Sequence, residues 1–160
     1  MAPFTQDLSR FSFGATSAIM TSLALIVGLA GVANPRVSIT GALLVLAFAD
    51  NVSDSLGVHV YRESQFKDHK GNKIHTISNF LSRLCITMIF VAIVFLLPIQ
   101  YAVIASLALG FLLLSVLSYY IALYHNADPA REIIEHLGIA LLVIIASNFL
   151  GTAITGFFGG

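Results

Sequence analysis

The chain has 160 residues, 58% of them hydrophobic and only 10% charged, with no formal net charge. Soluble domains carry about 25% charged residues, so this balance, with a mean hydropathy of +0.91, excludes an ordinary water-soluble domain and indicates a polytopic membrane protein. Neutrality leaves no basic surface for nucleic acid, and one cysteine, Cys85, cannot form an intrachain disulfide.

The N-terminus, MAPFTQDLSR, has no basic region leading into an apolar core, so no cleavable signal peptide is expected. Five apolar segments lie beyond it, at about 13–33, 37–61, 80–97, 101–124 and 133–158. Each is near the ~20 residues that cross a bilayer's hydrocarbon core. The expectation is an all-α, single-domain membrane protein of five transmembrane helices. NPR (Asn34–Arg36) and LPIQ (Leu97–Gln100) read as tight turns, making hairpins of helices one and two and of helices three and four. RESQFKDHKGNKIHTISN reads as a polar loop after helix two. HNADPAREIIEH joins helices four and five, with Asp128 as an N-cap and Pro129 as the first helical residue.

Positive charge predicts the topology. With the N-terminus in the cytoplasm, Arg10, Arg62, Lys67, Lys70, Lys73, Arg83 and Arg131 fall on that side and only Arg36 on the other. Seven of eight basic residues inside satisfies the positive-inside rule. The 62–79 loop is then cytoplasmic and the C-terminus is outside.

Ionisable residues within spans are functional candidates. At about 100° per residue, Asp50, Asp54, Gly57 and Tyr61 share one stripe of helix two about 60° wide. Gly57 is expected to admit a neighbouring backbone to that stripe, which Asn51 and Ser53 flank. Two readings stand: hydrogen-bonded carboxyls that join helices, or a cation or proton site facing the bundle interior. Paired carboxylates suit an oxygen-ligand cation site, and their mutual repulsion suits proton exchange.

His59 and Glu63 lie on the opposite face as an i,i+4 pair, either water-facing or a cytoplasmic entry site for metal. In helix one, Ser17, Met20 and Thr21 share a face and read as packing, with Met20 a soft donor for a transition metal. Ser147, Asn148, Gly151, Thr152, Thr155 and Gly156 in helix five suggest close helix contact, within the chain or across a dimer. Asp68, His69 and His75 in one connector, and His125, Asp128, Glu132, Glu135 and His136 in the other, read as solvated. No HExxH, GxSxG or paired-aspartate protease pattern occurs, so no enzyme is expected.

FGATSAIMTSLALIVGLAG, then ALLVLAFADNVSDSLGVHVYRESQ, resembles the first two helices of the vacuolar iron transporter family, whose members have segments like LGANDGLVSTASLLLGVA and AGALSMAAGEYVSVSSQ. AREIIEHLGIALLVIIASNFLGTAITGFFG is similar to the family's last helix. The resemblance implies a homodimer in the lipid bilayer that exports Fe2+ or Mn2+ from the cytosol in exchange for protons, without a permanently bound cofactor. Ser17 aligns with the family's helix-one aspartate, Asp54 with its helix-two methionine and Val58 with its glutamate. Carried over, the resemblance makes Asp54 and Asp50 the metal ligands and proton carriers, with Ser17 and Met20 on the facing helix. It also marks what is missing: only about 18 residues join helices two and three, too few for the family's long metal-binding domain. The alternative is a membrane scaffold or subunit that kept the fold without transport.

Overall fold

The computed structural model describes residues 3–158 apart from 66–68, and side chains from residue 11 onward apart from 66–70 and 72. Among the described residues every regular element is helical: α1 (Pro3–Gly28), α2 (Pro35–Val45), a π turn (Leu46–Asp50), α3 (Asn51–Gln65), α4 (His69–Leu96), α5 (Ile99–His125) and α6 (Pro129–Phe158). Five segments are long and apolar enough to cross a membrane: Phe11–Gly28, Pro35–Gln65, Lys73–Leu96, Ile99–His125 and Pro129–Phe158. The protein is an all-α, multi-pass membrane protein with the five spans expected from its sequence.

Two local features differ from expectation. Outside residues 66–68, which are not among the described residues, the 62–79 stretch is helical: α3 continues to Gln65 and α4 begins at His69. Its polar residues, with a single glycine, prolong the spanning helices, whose backbone hydrogen bonds satisfy themselves. The second span is interrupted at Leu46–Asp50, where the Asn51 N–H reaches back five residues to the Leu46 carbonyl. One extra residue in the turn re-aims the remainder of the span, and such π turns recur at functional sites.

The turns carry conventional signals. Pro35 and Pro98 stand at the starts of α2 and α5. Arg36 Nη2 donates to the Leu97 carbonyl at 2.8 Å, which ties the two short hairpin turns together at one end of the bundle. At the other end α5 stops at Asn126, in the left-handed region with φ 54°, and the Ala127 N–H returns to the Ala122 carbonyl at 2.9 Å. Asp128 then caps α6, accepting from the Ala130 N–H at 3.0 Å, as its position before Pro129 predicted.

α1 is the axis of the bundle, packed on α2, α4, α5 and α6. Its buried residues Ala15, Ala18, Ile19, Ser22, Leu23 and Ile26 recur at three- and four-residue spacing, a single helical stripe. Lipid is as apolar as leucine, so helices associate in a membrane through close packing and polar contacts. The glycines show this directly. A Cβ on Gly151 of α6 would run into the Gly28 carbonyl of α1, and one on Gly110 would meet the Leu23 side chain. Ser147 and Gly151 of the last span therefore seat α6 on Gly28 of α1, while a Cβ on Gly156 would meet nothing within 4 Å. Thr152 and Thr155 bond back to the carbonyls of Asn148 and Gly151 at 2.8 and 2.7 Å.

Gly57 behaves differently from expectation. A Cβ there would meet nothing within 4 Å, so no backbone approaches it. Gly151→Ala is expected to cost about 1–3 kcal/mol through overpacking, whereas Gly57→Ala is neutral or stabilising by up to about 1 kcal/mol through helix propensity. Thermal unfolding of the two variants in detergent micelles measures the contrast.

Candidate functional site

Three segments converge on one side chain, Arg83 of α4. Its guanidinium donates through Nη2 to Asp50 Oδ2, through Nη1 to Asp54 Oδ2 at 2.9 Å, and through Nη1 to Ser17 Oγ of α1. Asp50 closes the π turn and Asp54 lies in the first turn of α3. The arginine side chain is 4% exposed, while those of Asp50 and Asp54 are 50% and 32% exposed. The acids are therefore reachable from outside the bundle and the arginine stands behind them. At 1.5 Å per residue, Arg83 is about 15 Å along its helix from Lys73, the polar end of the span.

Asp50, Asp54 and Ser17, three of the residues grouped from the sequence, all meet Arg83, which the sequence assigned to the cytoplasmic charge tally. It lies inside the bundle, so its charge is not a topological marker; the remaining basic residues still divide six to one. Side chains of Arg10, Lys67 and Lys70 lie outside the described residues. The overlooked signal was spacing: Asn79, Ser82, Arg83, Ile86, Thr87, Phe90, Val91 and Val94 are the buried residues of α4, a single stripe in which Arg83 holds a central place.

A buried ion is costly in a membrane unless it is paired. Two carboxylates and one guanidinium leave a net single negative charge. Arg83 takes only Oδ2 from each acid; neither Oδ1 has a hydrogen-bond partner among the described residues. Asp54 also borders an open cavity of about 480 Å³, with Phe13, Gly57, Tyr61, His75 and Asn79 among its other walls. Three members of the predicted stripe, Asp54, Gly57 and Tyr61, thus face one space, and Gly57 widens it.

A second polar layer packs α3 against α4. Asn51 Nδ2 donates to the Phe80 carbonyl at 3.0 Å, and Asn79 Nδ2 to Ser55 Oγ at 3.1 Å. Ser82 Oγ donates to the Asn79 carbonyl at 2.9 Å. Asn79 Oδ1 is buried without a partner.

The other sequence candidates fall elsewhere. His59 and Glu63 do form their pair, Nε2 to Oε2 at 3.8 Å, and His59 Nδ1 meets Thr76 Oγ1 at 3.3 Å. His59 lies with Lys73 on a separate apolar groove, not on the Asp54 cavity. Met20 packs against the hydrophobic core, and Thr21 Oγ1 bonds back to the Ser17 carbonyl at 2.7 Å. Of the connector histidines, His75 borders the cavity, His125 stacks edge-on against Tyr124, and His136 Nδ1 is 2.8 Å from the buried Ser118 Oγ. Among the described residues no three of His, Cys, Asp and Glu come together in metal-binding geometry. Cation binding here would therefore rest on the two acids, with hydroxyl, carboxamide or water oxygens completing the shell.

Comparison with family models, characterised proteins and solved structures finds no match to this chain. The fold and site define a class: a five-span helical membrane protein with an arginine–diaspartate cluster built around a buried guanidinium.

Removing both acids strands a buried guanidinium. Asp50→Asn with Asp54→Asn is expected to lose on the order of 2–4 kcal/mol. Adding Arg83→Gln should restore part of that loss, because the unpaired charge goes with it. Denaturation of the double and triple variants in detergent tests this; equal stability of the two would show that the pairing contributes nothing.

Proposed function

We propose that the protein is a transporter of a divalent metal cation, Mn2+ or Fe2+, exporting it from the cytosol in exchange for protons. One observation carries this reading: two mid-span carboxylates converge, each with an unbonded oxygen, beside an open cavity that Asp54 borders. Asp54 is the principal ligand and Asp50 the second ligand or proton carrier, with Ser17 on the facing helix. These are oxygen donors, which suit manganese at least as well as iron; Met20 of the facing helix, packed against the core, would be the soft donor of the set. The likeness of the first two and last spans to the vacuolar iron transporter family supports the same reading. The N-terminus and the cavity's polar rim then face the cytosol, in keeping with the distribution of Lys and Arg.

A homodimer belongs to this reading. α6 is the least enclosed span, and the exposed Asn148 carboxamide on it has no hydrogen-bond partner among the described residues. A second copy would supply one.

One observation favours the scaffold alternative: Arg83 already neutralises much of the acid charge, as a brace between helices would. Proteoliposomes separate the two. Transport predicts Mn2+-driven proton flux in the wild type and a loss of at least tenfold in Asp54→Asn, with a smaller loss in Asp50→Asn. A wild type that moves no divalent ion across a pH gradient ends the transport reading. Normal flux in both variants would leave transport standing and remove the site assignment.

A further inference from the structure

The face of α3 that turns away from the Asp54 cavity forms a second concavity with α4, an open groove of about 460 Å³. That volume is in the range of small-molecule sites. α3 contributes Val52, Leu56 and His59 to its walls, and α4 contributes Lys73, Ile77 and Leu81. The three- and four-residue spacing makes one stripe on each helix. α3 ends at Gln65 and α4 begins at His69, so His59 and Lys73 lie at the same polar end, with Val52 and Leu81 at the other. At 1.5 Å per residue, Lys73 to Leu81 is a run of about 12 Å.

A polar seam closes the floor of the groove. Asn51 Nδ2 donates to the Phe80 carbonyl at 3.0 Å, Asn79 Nδ2 donates to Ser55 Oγ at 3.1 Å, and His59 Nδ1 meets Thr76 Oγ1 at 3.3 Å. Asn51, Ser55 and His59 are four residues apart, so the seam follows α3 along the whole groove. It holds the two helices side by side and engages their polar groups with one another. The walls left open are apolar: Val52, Leu56, Ile77 and Leu81 are each more than half exposed.

At the polar end one charge is left over. The His59 ring stands beside Glu63, with Nε2 3.8 Å from Oε2. Lys73, where the third span begins, is exposed and has no ion-pair or hydrogen-bond partner among the described residues. A lysine in this position lays its stem along apolar surface and holds its ammonium at the interface, where it attracts anionic headgroups. A phospholipid has the matching layout: a phosphate at the interface and an acyl chain directed into the hydrocarbon. A zwitterionic headgroup brings its own ammonium, which competes with Lys73 for the phosphate. A headgroup with net negative charge does not.

We propose that the α3–α4 groove binds one anionic phospholipid, its phosphate on Lys73 and one acyl chain along Val52, Leu56, Ile77 and Leu81. The site is separate from the two acids and does not depend on the transport reading.

The test uses the full chain in detergent micelles, with phosphatidylglycerol and phosphatidylcholine of identical acyl chains as probes and native mass spectrometry as the readout. One phosphatidylglycerol per chain should bind about fivefold more tightly than phosphatidylcholine. Lys73→Gln should abolish that preference, and Lys73→Arg should keep it. Leu56→Trp, which fills the apolar end and leaves Lys73 in place, should weaken the binding of both lipids. Equal retention of the two lipids by the wild type reduces the groove to ordinary lipid contact and overturns the site. A preference that survives Lys73→Gln places the anionic lipid elsewhere and overturns it as well. Glycerol phosphate, which has no acyl chain, should not displace the bound lipid; effective displacement overturns the part assigned to the apolar walls.

Discussion

A guanidinium enclosed within the bundle and held by two carboxylates is the constraint on which the rest of this structure depends. An unpaired charge in hydrocarbon is costly enough that its partners must be present, so α1, the α2–α3 span and α4 cannot choose their mutual rotation freely. Asp50 and Asp54 come from one face of one span, and Ser17 comes from another. The π turn ending at Asp50 fits the same demand: it re-aims the helix just where the acid must reach Arg83.

Close packing makes that convergence available. With no hydrophobic difference between lipid and leucine, small residues decide how near two helices lie. Gly28 and Gly151 bring α1 and α6 into backbone contact, and Gly14 lets α1 lie directly on the Asn79–Ser82 turn of α4. α1 is thereby fixed against α4 at the level where Ser17 meets Arg83. The same axial helix that organises the core also supplies one wall of the site.

The two faces of α3 have separate surroundings. One face, with Asp54, Gly57 and Tyr61, opens on a cavity that also touches α1 and α4. The other, with Ser55 and His59, packs through hydrogen bonds to Asn79 and Thr76 and borders an apolar groove. Four residues separate Asp50 from Asp54, and the same interval separates His59 from Glu63, but only the first pair meets the buried Arg83. Spacing alone cannot distinguish them, because it says which residues share a face and not what that face meets.

Composition and hydrophobic segmentation by themselves determined the class and the number of spans, because a bilayer admits only long apolar helices or closed barrels. The helical period likewise placed Asp50 and Asp54 together, and Asp128 before Pro129 marked a helix start. The tertiary structure alone decided what the acids face. Arg83 is 29 residues from Asp54 in sequence, and its pairing depends on how α4 rotates against α3. In the sequence it sits near the polar end of a span, where a basic residue ordinarily marks the cytoplasmic side. Gly57 shows the same limit: a glycine permits either close contact or open space, and only the packed bundle selects between them. The unpartnered oxygen of Asn79 has no sequence signature, because a missing partner is a property of the surroundings and not of the residue.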